Sequence, residues 1–323
     1  MSFELILPFL RPIEHLIRND SISEIMVNGS GRIFIETHGE ILGVPEVVLT
    51  EKLLQVAVRN IARVLGDEIN DEMPLLDSRL PDGSRVAAAI PPCSRRGTTL
   101  TIRKFPTRRL TAEDLVHAGT LPARILEYLA ESVRARRNIL VSGGTGCGKT
   151  TMLNVLATFI DPAERVVLIE ETSEVRIALE NLVEFEARRA QPGRPAVTIR
   201  DLLRATLRHR PDRILVGEVR GGEAFDLLQA LNTGHSGTLS TIHANSAKLA
   251  ISRFITCVLQ SGVDLPYRAI QSNIADALDL VLHIERRNQR RYVAELLRLA
   301  RYDPVHDGYE CELLYEARGP SNE

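Results

Sequence analysis

"NILVSGGTGCGKTTMLNVLATFI", residues 138–160, decides the fold. A short apolar run meets a cluster of glycines, and helical spacing begins at Lys149. The segment Gly143–Thr150 satisfies G-x-x-x-x-G-K-[ST] with a strand before it and a helix after it. Gly143, Gly144, Gly146 and Gly148 let backbone N–H groups turn inward around an oxyanion without a Cβ in the way. Thr145 and Cys147 complete that turn, and the following helix presents its positive end to the same anion. Lys149 can reach the β- and γ-phosphates of a nucleotide, the Thr150 hydroxyl can ligate Mg²⁺, and Thr151 follows in the first helical turn. The segment predicts a phosphate cradle.

Downstream and upstream of the cradle the texture differs. After it, short apolar strands ("RVVLIEE", "DRILVGEV", "TLSTIHA") alternate with helical segments ("IRDLLRATLRH", "GEAFDLLQALN"). Continuous apolar strands between helices predict a parallel sheet covered on both faces. Before it, "EIMVNGSGRIFIETHGEIL" reads as strand, turn and strand, with Asn28-Gly29 as the turn. "TEKLLQVAVRNIARVLG" reads as a helix capped by Thr50 and stopped by Gly66. "DSRLPDGSRVAAAIPP" and "TTLTIRKF" return to strands around Asp82-Gly83. The expected division is a mixed α/β domain over 1–105, a polar linker with a short helix over 106–122, and an α/β domain carrying the cradle over 123–323.

Bulk composition sets limits. Lys plus Arg is 40 against 42 Asp plus Glu, a net charge of −2, which predicts no overall attraction to nucleic acid or an anionic membrane. Aromatic residues make up 4% and Trp is absent, so stacking platforms for single strands are not expected. Cys93, Cys147, Cys257 and Cys311 lie far apart and form no CxxC pair, which reads as reduced cytoplasmic thiols. The stretch "MSFELILPFLRPIEHLIRND" is apolar but broken by Glu4 and Pro8, and it carries no basic leader. It reads as an amphipathic docking helix, with a membrane-surface or partner contact as the other reading.

A phosphate cradle of this kind works with acids from neighbouring strand ends, one holding Mg²⁺ through water and one activating the attacking water. "RVVLIEETSEV" delivers Glu170, Glu171 and Glu174, and "RILVGEVRGGE" delivers Glu218 with Glu223 a turn later. Spacing alone leaves open which is base and which faces the metal.

The blocks "GGTGCGKTT", "IEETSEV", "RILVGEVRGGEA" and "TGHSGTLSTIHANS" together resemble the secretion traffic ATPases of type II and type IV secretion, type IV pilus and conjugation systems. In that family they are the Walker A, Asp box, Walker B and His box. "LDSRLPDGSRVAAAIPP" and "TLTIRKF" look like the N-terminal domain of the branch serving Tad-type pili and conjugative or type IV secretion. The resemblance implies a RecA-like P-loop NTPase domain with a smaller mixed α/β N-terminal domain. It implies a cytoplasmic homohexamer binding ATP and Mg²⁺ between the two domains, working with inner-membrane platform proteins and with no direct nucleic acid. Carried over by position, Glu170 is the general base, Glu218 acts on Mg²⁺ and its waters beside Thr150 and Glu171, and His235 and His243 sense phosphate or complete the site. Arg103 in "TIRKF" and Arg85 in "DGSR" reach the γ-phosphate, with Arg220 in "GEVR" a weaker candidate. Two positions depart from the family: Glu171 stands where Asp is usual, and Ser236 where an acid is common.

The residues themselves leave three readings for His235 and His243: a metal site, packing, or a polar pair near the γ-phosphate. Zinc needs three or four ligands, and no Cys lies near in sequence. The cluster "IERRNQRRYV" reads as the solvated turn of a hairpin, with a subunit or acidic-lipid contact as the alternative. Besides an ATP-driven export or pilus motor, a nucleotide-gated scaffold with weak hydrolysis and a DNA-translocating RecA-like motor are the competing readings.

Overall fold

The computed structural model describes residues 3–105, 110–188, 190, 195–288 and 290–317. It divides into two compact units, Met1–Arg109 and Leu110–Glu323. Pro106, with which the expected linker begins, lies outside the described residues.

The first unit contains α1 (Glu14–Arg18), β1 (Ile22–Asn28), β2 (Arg32–Thr37), β3 (Glu40–Val44), α2 (Glu51–Val64), β4 (Leu75–Arg79), β5 (Arg85–Ala89) and β6 (Thr99–Arg103). The strands form one antiparallel sheet in the order β3-β2-β1-β6-β5-β4. Thr50 caps α2 by accepting the Leu53 N–H, and Leu54, Val58 and Ile61 on one face of the helix are buried. A cap of this kind is worth about 1 kcal/mol.

Two expectations are corrected here. The N-terminal stretch is not one amphipathic helix. It is three successive 3₁₀ turns followed by the five residues of α1, because Pro8 and Pro12 lack the N–H that a continuing helix needs. Its apolar side chains, Ile6, Leu10, Ile13 and Ile17, are buried in the core of the first unit and are not presented to a membrane. The turn after β1 is a 3₁₀ turn over Gly29–Gly31 with Asn28 extended, not an Asn-Gly hairpin turn. The tight hairpin turn lies one strand later, where His38 and Gly39 both have positive φ, +50° and +83°.

The second unit contains α3 (Ala112–His117), α4 (Ala123–Arg134), β7 (Ile139–Gly143), α5 (Lys149–Ala157), β8 (Val166–Glu170), β9 (Leu182–Glu186), α6 (Ile199–Thr206), β10 (Arg213–Val219), α7 (Glu223–Asn232) and β11 (Leu239–Ile242). It continues with α8 (Ala247–Leu259), α9 (Tyr267–Ala277), β12 (Leu280–Arg287), β13 (Arg290–Asp303) and β14 (Gly308–Glu316). The sheet order is β14-β13-β12-β7-β11-β10-β8-β9. Strands β12, β7, β11, β10, β8 and β9 run parallel, and β7, β8 and β11 are buried along their whole length between two apolar clusters.

The expected parallel sheet is extended by an antiparallel meander, β12–β13–β14. Its outer strands give no continuous apolar run: β13 mixes buried and exposed residues, and none of β14 is fully buried. Edge strand β9, "LVEFE", escapes a sequence reading for the same reason.

Candidate active site

The carboxyl ends of β7, β8, β10 and β11 converge at one edge of the second unit, where ligands bind in open α/β sheets. Gly143 ends β7 with φ +155°; a Cβ there would stand 2.4 Å from the Ile284 carbonyl oxygen and 2.5 Å from Cys147 Sγ. Only glycine lets the chain leave the strand at this point. Gly146 and Gly148 take φ +69° and +100°, and Gly148 is the N-cap of α5. The turn leaves Gly144, Thr145 and Gly146 exposed while Lys149 is buried. Thr150 and Thr151 lie half-buried in the first turn of α5.

Lys149 Nζ donates to the carbonyls of Gly143 (3.1 Å) and Gly144 (2.9 Å) and lies 3.4–3.5 Å from both ring nitrogens of His243. Burial pushes the ammonium below its ordinary pKa, against the pull of Cys147 and Glu218. Burial, reinforced by Lys149, pushes His243 down as well, so its ring is neutral near pH 7.

Glu218, near the end of β10, faces the same point. Its Oε1 lies 3.0 Å from His243 Nε2 but out of hydrogen-bond alignment, which leaves a buried carboxylate oxygen without a hydrogen bond. Its Oε2 accepts from Arg220 Nη2 at 3.0 Å, and the other arm of Arg220 pairs with Glu171. Arg220 therefore bridges the two acids assigned to the metal side.

Glu170 is 4% exposed, and its Oε1 accepts the N–H groups of Glu174 and Val175, both at 2.9 Å. It fits beside β10 because residue 217 is glycine: a Cβ there would stand 2.9 Å from Glu170 Cγ.

The residues present fit Mg²⁺. The ion keeps several waters and takes few protein ligands, and the unbonded Glu218 oxygen and the Thr150 hydroxyl suit that chemistry. No cluster of three or more His, Cys, Asp or Glu able to hold a metal occurs among the described residues, so the zinc reading of the histidines has no support there.

The two histidines do not share a location. His243 follows the carboxyl end of β11. His235 precedes its amino end, with its N–H and Nδ1 on the Ala230 carbonyl at the end of α7 (3.2 and 3.3 Å). Strand β11 runs parallel to β7, pairing Leu239 with Ile139 and Ile242 with Ser142, so His235 lies at the end of the sheet away from the cradle. Arg85 and Arg103 stand directly opposite each other on β5 and β6 of the first unit.

Two groups went unread as part of the site. His283 on β12 is buried, its Nδ1 2.9 Å from the Ser142 hydroxyl directly before the cradle. The arginine cluster is not simply a solvated turn: Arg291 Nε donates to the Gly146 carbonyl at 3.0 Å. The signal was the cluster itself, and what was missing was that β12 pairs with β7 and so carries the cluster to the cradle.

Comparison with known proteins bears on this arrangement. A family model described as Type II/IV secretion system protein matches residues 9–308. The chain is 40% identical over 246 residues to uncharacterized protein MJ0781 of Methanocaldococcus jannaschii; the match covers 74% of this chain and 34% of that one, so this chain spans about a third of that relative. It is 35% identical over 296 residues to conjugal transfer protein TrbB of Rhizobium radiobacter, covering 90% of this chain and 87% of the relative. The solved structure of the ATPase DotB of Legionella pneumophila superposes with a TM-score of 0.65 at 22% identity, over 93% of this chain and 82% of that one. That likeness is one of fold, a smaller mixed α/β unit followed in the chain by a larger α/β unit.

Proposed function

The chain belongs to the type II/IV secretion system protein family, and on that footing we propose that it is a Mg²⁺-dependent ATPase whose turnover drives export, conjugation or pilus assembly. The observation that carries this reading is the convergence on one cradle of buried Lys149, His243 and the unbonded oxygen of Glu218.

In this reading the amides of residues 143–149 bind the phosphates, and Lys149 exchanges two loop carbonyls for β- and γ-phosphate oxygens. Thr150 and Glu218, with Glu171, hold Mg²⁺, which when bound neutralises charge on the phosphates. Glu170 orients the attacking water and takes its proton. His243 donates to or orders the γ-phosphate side. Arg103 and Arg85 supply positive charge from the first unit, so that ATP bound between the units couples chemistry to their closure. The working form is a homohexameric ring on the cytoplasmic side of the membrane, engaging inner-membrane platform proteins. No helix among the described residues is long and apolar enough to cross a membrane.

The test is steady-state ATPase activity of the full chain with Mg²⁺. Lys149→Ala should abolish nucleotide binding. Arg103→Ala should keep ATP affinity within a few-fold and lose most turnover, since such arginines contribute on the order of 10³–10⁵ in rate. An inert wild type that still binds ATP supports the gated scaffold instead, and DNA-stimulated turnover supports the DNA motor.

A further inference from the structure

At the tip of the β12–β13 hairpin, arginines face arginines. Arg286 stands directly opposite Arg291, and Arg287 directly opposite Arg290. Like charges directly opposite on an antiparallel pair are destabilising, and here two such rungs follow one another.

The 286–291 rung lies against the phosphate loop. Arg291 Nε donates to the Gly146 carbonyl, and Arg291 Cδ lies 3.4 Å from where a Cβ on Gly148 would stand. Arg286 Nη1 lies 3.6 Å from the equivalent point on Gly146. Both distances are ordinary van der Waals spacing, so the two side chains pack alongside the loop. Alternation along the strands turns Arg287 and Arg290 to the opposite face. The hairpin reaches the cradle from the β12 side of β7, while His243 and Glu218 reach it from the β11 and β10 side. The exposed turn at Gly144–Gly146 is thus flanked by cations on the side that Lys149 does not serve.

An anion between the two guanidinium groups can be held by both, and a planar guanidinium suits phosphate oxygens well. We propose that Arg286 and Arg291 form the outer wall of the nucleotide site. They bind the polyphosphate from the β12 side, and Arg291 also fixes the loop's exposed turn through the Gly146 carbonyl. The inference rests on the ATPase reading above and extends it to residues outside the family's four motif blocks.

The test is titration of the full chain with a fluorescent, non-hydrolysable ATP analogue and Mg²⁺ at low and high salt. Arg286→Ala and Arg291→Ala should each weaken binding about tenfold, the scale of one charge-assisted hydrogen bond. The loss should shrink at high salt, where exposed charges are screened. Arg291→Lys should recover part of the affinity and Arg291→Gln none, which separates charge from loop support. Arg287→Ala, on the far face, should bind as wild type. Unchanged binding by both Arg286→Ala and Arg291→Ala, or an equal loss in Arg287→Ala, overturns the proposal. A wild-type chain that leaves the analogue unbound overturns the ATPase reading, and the hairpin's role with it.

Discussion

Glu170→Gln and Glu170→Ala should part company in the melting curve while sharing a loss of turnover. The carboxylate is 4% exposed and its Oε1 receives two backbone N–H groups at 2.9 Å, from Glu174 and Val175. A hydrogen bond to a charged group contributes about 1.5–3 kcal/mol. Losing both in the Ala variant, with water replacing part of the loss, should cost about 2–4 kcal/mol. For a unit of this size that corresponds to a fall in Tm of roughly 5–15 °C. Gln presents an amide oxygen at the same place, keeps both bonds, and should melt within about 3 °C of wild type. Neither variant can accept the proton of the attacking water, so both should lose about 10²–10⁴ in kcat. Thermal melting, analogue binding and steady-state hydrolysis on the three proteins give the comparison. A Gln variant that hydrolyses ATP normally refutes the base assignment. An Ala variant that melts with wild type refutes the anchoring of the 171–175 loop by this side chain.

His243→Ala removes the neutral ring between Lys149 and Glu218; ATP affinity should stay within a few-fold while turnover falls roughly tenfold or more, and unchanged turnover would favour packing as the role of that histidine. For pH, burial pushes His283 below the ordinary imidazole pKa, against the pull of Glu295 and Glu285 on neighbouring positions and with Lys149 adding to the fall. The unfolded chain then binds the extra proton first, so stability is present above about pH 6.5 and is lost as pH falls below it. His243 shifts in the same direction. Tm should therefore drop between about pH 7 and 5.5, and His283→Gln, which can keep a bond to Ser142, should lessen that drop; equal drops in both proteins rule His283 out as a source.

Much of the second unit was readable because its chemistry is local in sequence. The cradle is eight consecutive residues, and the buried parallel strands are unbroken apolar runs. Glu170 and Glu218 could be placed at one edge of the sheet because parallel strands end together. What could not be read depends on distant pairing. The register of β12 on β7 brings His283 beneath the cradle and the arginine hairpin beside it, and no spacing within "IERRNQRRYV" encodes that. The two histidines flank the four residues of β11, His235 before its amino end and His243 after its carboxyl end, so closeness in sequence does not set them side by side. At the N-terminus, apolar spacing suggested a helix, but two prolines broke it into turns that serve the core.

The strand bearing the phosphate loop has its two neighbours made at very different times. Leu239–Ile242 and Leu280–Arg287 both pair with Ile139–Gly143, and the second partner leaves the ribosome more than a hundred residues after the loop itself. Until then one flank of that strand is an open edge, and the carbonyl of Ile284 that backs Gly143 has not been synthesised. A nascent chain arrested before residue 280 carries every glycine of the cradle but lacks the strand that flanks Gly143 on one side.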